Sequence, residues 1–312
     1  MTDSVRWDLD GAVATITLNR PQARNALTAE LKTELLRALQ QAASSPEVRA
    51  VLITGAGQAF CAGQDLREHA ELLQAAGSRD GAAPATAPQP AGAPAAGAPP
   101  AGAPAAQAPV GGASAVGPPP AEAGPRPGAA LDTVREHYNP LVLAIMSMPK
   151  PVIAAVNGVA AGAGAGLAFA CDIRIAARGA SFLMAFARVG LAADTGVSWT
   201  LPRLAGAGRA AELLMLAEPI RAPRALELGL VSQVVEDADL PVTAGALAAR
   251  LAAGPTAAYA GIKEQLGYAA GHGLAEALEK EAEVQGALGR TADHQAATLA
   301  FTRKQEPRFL GR

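Results

Sequence analysis

A single acidic residue, Asp194, stands among small and apolar residues in the stretch GLAADTGVSW, residues 190–199. Pattern alone favours a helix N-cap, because Asp often precedes a helical run such as TGVSWTLPRL. A carboxyl group in an apolar pocket also has a raised pKa, which suits a group that removes and returns a proton. One such group is enough for a 1,3-proton shift, whereas adding water across a double bond uses two. The pattern therefore favours the cap for Asp194 and leaves a proton-transfer role open beside it.

Two glycine-rich loops each follow a predicted strand, TGAGQAFCAGQDL and, further along, NGVAAGAGAGL. The second holds Gly162, Gly164 and Gly166, but this G-x-G-x-G spacing differs from the G-x-G-x-x-G of dinucleotide-binding loops. Close helix packing explains some of these glycines. Each loop can also present a backbone N–H at a helix start, and two convergent N–H groups form an oxyanion hole. We place these two donors on Gln64 and Ala163.

The other reactive residue types predict no metal site and no cofactor. Cys61 has no evident His or Asn partner and is interpreted as a small buried filler, although it lies beside a glycine loop. Asp65 and Asp172 suit a helix cap and a structural acid. The histidines are scattered without ligand spacing, at His69, His137, His272 and His294.

Composition limits the function classes and the compartment. The net charge of −2 gives no footprint for nucleic acid or an anionic membrane. The two cysteines lie far apart, which favours a reducing cytoplasm over a disulfide framework. The longest low-polarity run is too short to span a bilayer, and the N-terminal stretch lacks the apolar core of a signal peptide.

Strand and helix signals alternate along the chain, which predicts an α/β fold. Two strands flank a turn at Asp10-Gly11, and Thr28 caps an amphipathic helix. KPVIAAV, IRIAA and ASFLMAF are interpreted as strands. A helix through LDTVREHYNPLVLAIMSM is predicted to kink or restart near Pro140, and the pattern is helical from Asp239 onward.

Residues 77–130 differ from the rest of the chain. From residue 81 to residue 130 they hold 13 of the 24 prolines and no aromatic side chain. Such a composition cannot bury enough apolar area to offset its ordering entropy, so we predict a disordered Ala/Pro/Gly-rich insertion. The expected organisation is then a core of residues 1–76 and 131–240, this insertion, and a C-terminal helical region over 241–312.

Four segments, in this order, resemble the crotonase (enoyl-CoA hydratase/isomerase) superfamily: ITLNRPQARNALT, AFCAGQDL, KPVIAAVNGVAAGAGAGLAFACDIRIAA and LELGLVSQVV. The resemblance implies an α/β fold with a ββα-spiral core and a C-terminal helical region used in trimerisation. It implies acyl-CoA thioester substrates, with CoA as part of the substrate and not a separate cofactor. It also implies that the two oxyanion loops of the family fall at Gln64 and Ala163.

The chain departs from the hydratases of that superfamily at both catalytic glutamates, where Gly166 and Phe186 stand instead. The stretches REHYNPLVLAI and MAFARVGLAADTGVSWTLPRLAG look like the ring-1,2-epoxyphenylacetyl-CoA isomerases of phenylacetate degradation. That group opens an epoxide to an oxepin-CoA and shifts Δ3 double bonds to Δ2, and its catalytic aspartate falls on Asp194.

The same resemblance implies a binding surface for the CoA ester and a homotrimer or a dimer of trimers. Tyr138 is interpreted as a wall of the acyl pocket, with core packing as an equal alternative. Phe301 and Lys304, near the C-terminus, match positions that in relatives often reach the CoA from a neighbouring subunit. The substrate-binding residues are Arg24, Ala26, Ala62, Gly63, Asp65, Leu66, Tyr138, Phe301 and Lys304.

Three other functions stay open from the sequence. The first is a hydratase whose water is held by other groups. The second is an aromatic acyl-CoA dehalogenase-like enzyme with Asp194 as nucleophile. The third is a CoA-ester-binding scaffold without catalysis.

Overall fold

The predicted N-terminal hairpin is present and begins the main sheet. The computed structural model describes residues 4–79 and 132–312, and the predicted insertion lies outside these ranges except for residues 77–79, which end a helix. Within the described residues, the main sheet has six strands: β1 (Val5–Asp10), β2 (Val13–Leu18), β3 (Ala50–Gly55), β5 (Val152–Val156), β7 (Ile173–Ala177) and β10 (Gln233–Val235). Their order across the sheet is β1-β2-β3-β5-β7-β10.

The centre of this sheet is parallel and buried. β5 pairs in parallel with β3 on one side and β7 on the other, and all of its residues are buried. This burial on both faces agrees with its continuous apolar sequence VIAAV. The carboxyl ends of these strands therefore lie at one edge, where the chain leaves the sheet towards the glycine-rich loops.

A second, smaller sheet has four strands, two of which lie in the glycine-rich loops. The sequence predicts only turns there, but each loop contains a three-residue strand that pairs with a neighbour. The predicted strand ASFLMAF is also too long, because residues 185–189 form a 3₁₀ turn. The strands of the smaller sheet are β4 (Ala59–Cys61), β6 (Val159–Ala161), β8 (Ser181–Leu183) and β9 (Ile220–Arg221).

Helices cover the sheets and form the C-terminal region. The helix predicted to be interrupted near Pro140 is a π-helical turn, Val134–Tyr138, that runs directly into α3. The described helices are α1 (Ala29–Ser44), α2 (Leu66–Arg79), α3 (Asn139–Met146), α4 (Ala163–Ala170), α5 (Val197–Ala205), α6 (Ala207–Leu216), α7 (Ala222–Glu227), α8 (Leu240–Ala252), α9 (Thr256–Ala269), α10 (Leu274–Leu288) and α11 (Ala292–Thr302). Within the described ranges, no helix is both long and apolar enough to cross a membrane.

Polar side chains fasten the last residues to the core. Asp293, at the start of α11, accepts hydrogen bonds from the backbone N–H groups of Leu310 (2.6 Å) and Gly311 (2.7 Å). Arg49, just before β3, donates to the carbonyl of Phe309 at 3.0 Å. The C-terminal segment therefore packs near the amino end of β3.

Candidate active site

The two glycine-rich loops meet at the predicted oxyanion donors. Gly63 has φ +88°, and a Cβ placed on it would lie 2.7 Å from the carbonyl oxygen of Ala161 and 3.5 Å from the backbone nitrogen of Ala163. Only glycine accommodates both this backbone conformation and this close approach. Gln64 therefore follows directly on a residue that touches the start of α4.

Both predicted donors keep their backbone N–H available. Ala163 is the first residue of α4, so its N–H has no partner within the helix. In the parts of the chain that the structure describes, no protein acceptor takes a hydrogen bond from the N–H of Gln64 or Ala163. An oxyanion placed between these loops would meet two such donors, one of them at a helix N-terminus.

A strained turn before α5 presents Asp194. Thr195 has φ +50° and Gly196 has φ +71°, and a β-branched residue in this region costs of order 1–3 kcal/mol. The Thr195 hydroxyl donates to Asp194 Oδ1 at 2.6 Å, and Thr195 is only 1% exposed. Gly196 is the N-cap of α5, and no side chain caps this helix. The cap alternative for the Asp194 carboxylate is therefore wrong, although the Asp194 carbonyl accepts from the Val197 N–H at 2.9 Å.

The surroundings of Asp194 favour its protonated form. Burial raises the pKa of this carboxyl, and the Thr195 hydrogen bond and the positive charge of Lys32 offset that only in part. The net pKa lies above the ordinary value for Asp. A carboxyl tuned in this direction gives up and takes back a proton more evenly than an exposed one.

Hydrocarbon and backbone fill the positions where the resemblance would place two glutamates. A Cβ on Gly166 would lie 2.7 Å from both Cβ and the carbonyl oxygen of Thr195. Phe186 is 7% exposed, and its Cε1 atom is 4.0 Å from a Cβ placed on Gly162, next to the Ala163 donor. Of positions 166, 186 and 194, only position 194 therefore carries a carboxylic acid.

A buried polar cluster that the sequence did not predict lies behind the Gln64 loop. Lys32 Nζ donates to Gln64 Oε1 at 3.2 Å and to Thr133 Oγ1 at 2.6 Å. The Tyr138 hydroxyl donates to the same Gln64 oxygen, and burial raises the pKa of that phenol well above its usual range. The sequence could have indicated that Lys32 is buried, because its spacing from Leu35 and Leu39 places all three on one face of α1.

Most predicted CoA-binding residues come together along a backbone ladder. The Ala62 N–H donates to the Arg24 carbonyl at 3.0 Å, the Leu27 N–H to the Gly63 carbonyl at 2.8 Å, and the Asp65 N–H to the Leu27 carbonyl at 3.1 Å. Asn25, fully buried within this segment, donates to the carbonyls of three residues, Ala56, Ala59 and Phe60. The segment around Arg24 and Ala26 therefore lies beside residues 62–65.

Asp65 and Leu66 stand at the start of α2. Asp65 accepts from the N–H groups of Arg67 and Glu68 and pairs with Arg20 at 2.9 Å, so it caps the helix as the structural interpretation predicts. Burial acts to raise its pKa, but the Arg20 hydrogen bond and the capped N–H groups outweigh it and the pKa is lowered. Leu66 is exposed.

Phe301 and Lys304 are not brought to this site within one chain. Phe301 is 85% exposed near the end of α11, and Lys304 follows that helix on the surface. Over residues 4–79 and 132–312, neither side chain forms a hydrogen bond or ion pair with another predicted site residue.

The cysteines and Asp172 have structural surroundings. Burial raises the pKa of the Cys61 thiol to about 12, which leaves no thiolate for nucleophilic attack at neutral pH. Asp172 pairs with Lys263 at 2.8 Å and accepts from the Val152 N–H. No group of three or more His, Cys, Asp or Glu side chains suited to a metal occurs in the described part of the chain.

Comparison with known proteins identifies the family of this arrangement. A family model for enoyl-CoA hydratase/isomerase matches residues 8–83 and 122–312. A "Probable enoyl-CoA hydratase" of Rhodobacter capsulatus is 39% identical over 99% of this chain and 98% of that protein. The "1,2-epoxyphenylacetyl-CoA isomerase" of Escherichia coli is 36% identical over the whole of both chains. A crystal structure of an enoyl-CoA hydratase/isomerase from Mycobacterium abscessus, 40% identical, superposes with a TM-score of 0.79 over 99% of this chain and all of the other.

Proposed function

This chain belongs to the enoyl-CoA hydratase/isomerase family, and on that premise we propose that it is an acyl-CoA isomerase with Asp194 as its proton-transfer group. One observation carries the proposal. Asp194 is a half-buried carboxyl of raised pKa, while Gly166 and Phe186 occupy the positions of the two glutamates expected of a hydratase. Holding and splitting a water molecule uses two acid/base groups, and one group suffices for a proton shift.

The reaction begins when the Asp194 carboxylate removes a proton from the carbon α to the thioester carbonyl. Electrons move onto the thioester oxygen, and the N–H groups of Gln64 and Ala163 stabilise the resulting enolate. Asp194 then returns the proton to a carbon further along the chain, which completes the isomerisation without net change in protons. The apolar side chain of Phe186 beside the donors disfavours a competing water.

We propose 2-(1,2-epoxy-1,2-dihydrophenyl)acetyl-CoA, isomerised to oxepin-CoA, or a Δ3-enoyl-CoA, isomerised to the Δ2 form, as the substrate. The name of the Escherichia coli relative supports the first substrate, and the single acid supports the proton shift that both reactions need. Forming the oxepin also breaks the C–C bond between the two epoxide carbons, whose electrons enter the ring double bonds while the oxygen stays bonded to both carbons. The CoA part would lie along residues 24–26 and 62–66. In a homotrimer or a dimer of trimers, Phe301 and Lys304 of a neighbouring subunit would complete its binding surface.

A paired turnover assay tests the reaction class. One sample holds 3-hexenoyl-CoA with detection of the Δ2 product, and the other holds crotonyl-CoA with detection of hydration. We expect isomerisation without hydration, and loss of about 100-fold or more in the Asp194→Asn protein with CoA-ester binding preserved. Fast hydration of crotonyl-CoA would favour the hydratase alternative, and an adduct on Asp194 after incubation with a halobenzoyl-CoA would favour the dehalogenase-like one.

A further inference from the structure

Lys32 is a buried lysine whose ammonium contacts the side chain of Gln64 in the first glycine-rich loop. It lies on the buried face of α1 and is 2% exposed. Its ammonium donates to Gln64 Oε1 and Thr133 Oγ1 and stands 5.0 Å from the centroid of the Tyr138 ring. Because Tyr138 donates to the same oxygen, the Gln64 side chain is held between a cation and a phenol. The backbone N–H of this same Gln64 is one of the two oxyanion donors.

The charge on Lys32 has acidic neighbours but no ion-pair partner. Burial lowers the pKa of Lys32, and the carboxylates of Glu68, Asp194 and Glu136 offset this only in part. None of the three forms an ion pair with Lys32 in the described part of the chain. A buried ammonium without a paired carboxylate costs stability, so its retention calls for another explanation.

A second buried lysine shows what a purely structural arrangement looks like. Lys150 is 7% exposed, and its ammonium donates to the carbonyls of Ala42 at 2.5 Å and Ser45 at 2.6 Å. These carbonyls belong to the C-terminal end of α1, where a cation offsets unpaired acceptors. Lys32 has no such role at a helix end, because it lies in the first turn of the same helix.

We infer that Lys32 is a positioning residue of the active site: its ammonium holds the side chain of Gln64, whose backbone N–H is a proposed oxyanion donor, and brings a positive charge to the side of the site where Asp194 lies. The inference rests on the proposed function, in which Asp194 must be ionised to remove a proton. The titratable and charged groups that interact with Lys32 or Asp194 come from two further elements: Glu68 of α2, and Glu136, His137 and Tyr138 of the π-helical turn.

The test compares pH profiles of kcat/KM for 3-hexenoyl-CoA isomerisation in the wild type, Lys32→Met, Lys32→Arg and the control Lys150→Met. Removing the Lys32 charge makes Asp194 harder to ionise, so the acidic limb of the profile is expected to move to higher pH. We expect roughly a tenfold loss at the acidic end and less than about threefold at the alkaline end for Lys32→Met. Lys32→Arg should move the limb back towards its wild-type position.

Thermal unfolding separates this role from a structural one. Lys32→Met removes the desolvation cost of a buried ammonium, and Gln64 Oε1 keeps the Tyr138 hydroxyl as a donor, so this variant is expected to unfold close to the wild-type temperature. Lys150→Met is expected to unfold at a lower temperature with an unmoved pH profile, because two carbonyls lose their donor. An unmoved acidic limb in Lys32→Met overturns the inference, as does a loss that is uniform across pH and matched by a fall in unfolding temperature.

Asp194→Asn distinguishes failure of this inference from failure of the proposed function. If Asp194→Asn keeps wild-type turnover, the proposed function is wrong and the inference is wrong with it. If Asp194→Asn is inactive and the acidic limb of Lys32→Met stays in place, only the inference is overturned.

Discussion

Replacing Gly166 by alanine should displace Asp194, the proposed catalytic acid, although residue 166 itself has no side chain. The added Cβ would lie 2.7 Å from Cβ and from the carbonyl oxygen of Thr195 and 2.9 Å from its Cγ2. The carbonyl oxygen is part of the backbone and Cβ is bonded to it, and this backbone is already held at φ +50°. A change of the Thr195 rotamer therefore relieves little of the overlap. Overpacking of this kind costs about 1–3 kcal/mol, or about 2–5 °C in unfolding temperature for a chain of this size.

The effect on turnover should exceed the effect on stability. Thr195 must move to admit the methyl group, and Asp194 moves with it because the two are adjacent and hydrogen-bonded. A displacement of about 1 Å at a catalytic group costs about 100-fold in rate. We therefore expect Gly166→Ala to lose about 100-fold in kcat for 3-hexenoyl-CoA while remaining folded.

Gly245→Ala is the matched control. Gly245 lies inside α8, and a Cβ placed on it meets nothing within 4 Å. Alanine there should leave turnover unchanged and raise stability by up to about 1 kcal/mol, because it favours the helix more than glycine does. Native unfolding temperature and native turnover in Gly166→Ala would refute the packing argument, and would mean that the Thr195 turn yields without cost.

Three further predictions concern the same turn and the C-terminal segment. Thr195→Val keeps the β-branched shape but removes the hydroxyl that lowers the pKa of Asp194, so the acidic limb of kcat/KM should move to higher pH, while Thr195→Ser should leave it in place. Burial raises the pKa of Asp194 in the folded state above its value in the unfolded state. Ionising this carboxyl therefore lowers stability as the pH rises from the unfolded pKa through the folded pKa. Calorimetry of Asp194→Asn should show a higher unfolding temperature than the wild type at neutral pH and a smaller gain in acid. Asp293→Ala removes the acceptor of the Leu310 and Gly311 N–H groups and should cost about 1–3 kcal/mol in denaturant unfolding, and an unchanged midpoint would show that the terminal segment contributes nothing.

The sequence predicts those parts of the site that depend on local pattern. The glycines of the two loops mark positions where only a residue without a side chain fits, and Gly63 is such a position, with φ +88° against the Ala161 carbonyl. Asp194 stands out because its neighbours are apolar, and the hairpin and α1 follow from alternation and from the Thr28 cap. The family resemblance supplies the order in which these parts assemble.

The parts that the sequence does not predict depend on contacts between distant residues. Lys32 and Thr133 are about a hundred positions apart, and nothing local to either indicates the other. The three-residue strands β4 and β6 are too short to show a period of two, and they exist because their loops pair with one another. The π-helical turn before α3 likewise follows from tertiary packing, since Tyr138 must reach the Gln64 side chain.

The loss of one acid and the placement of the other have a common physical cause. Gly166 leaves room on α4 for the backbone of Thr195, and that backbone adopts a conformation that a β-branched residue avoids. The packing of Thr195 into the buried space beside α4 offsets this strain, which explains why the residue is 1% exposed. A glutamate at position 166 would start from the same Cβ and would push this turn away, so the Asp194 arrangement and a carboxylate at 166 exclude one another in this fold. The absence of a side chain at Gly166 therefore allows the turn to hold Asp194 in its present place.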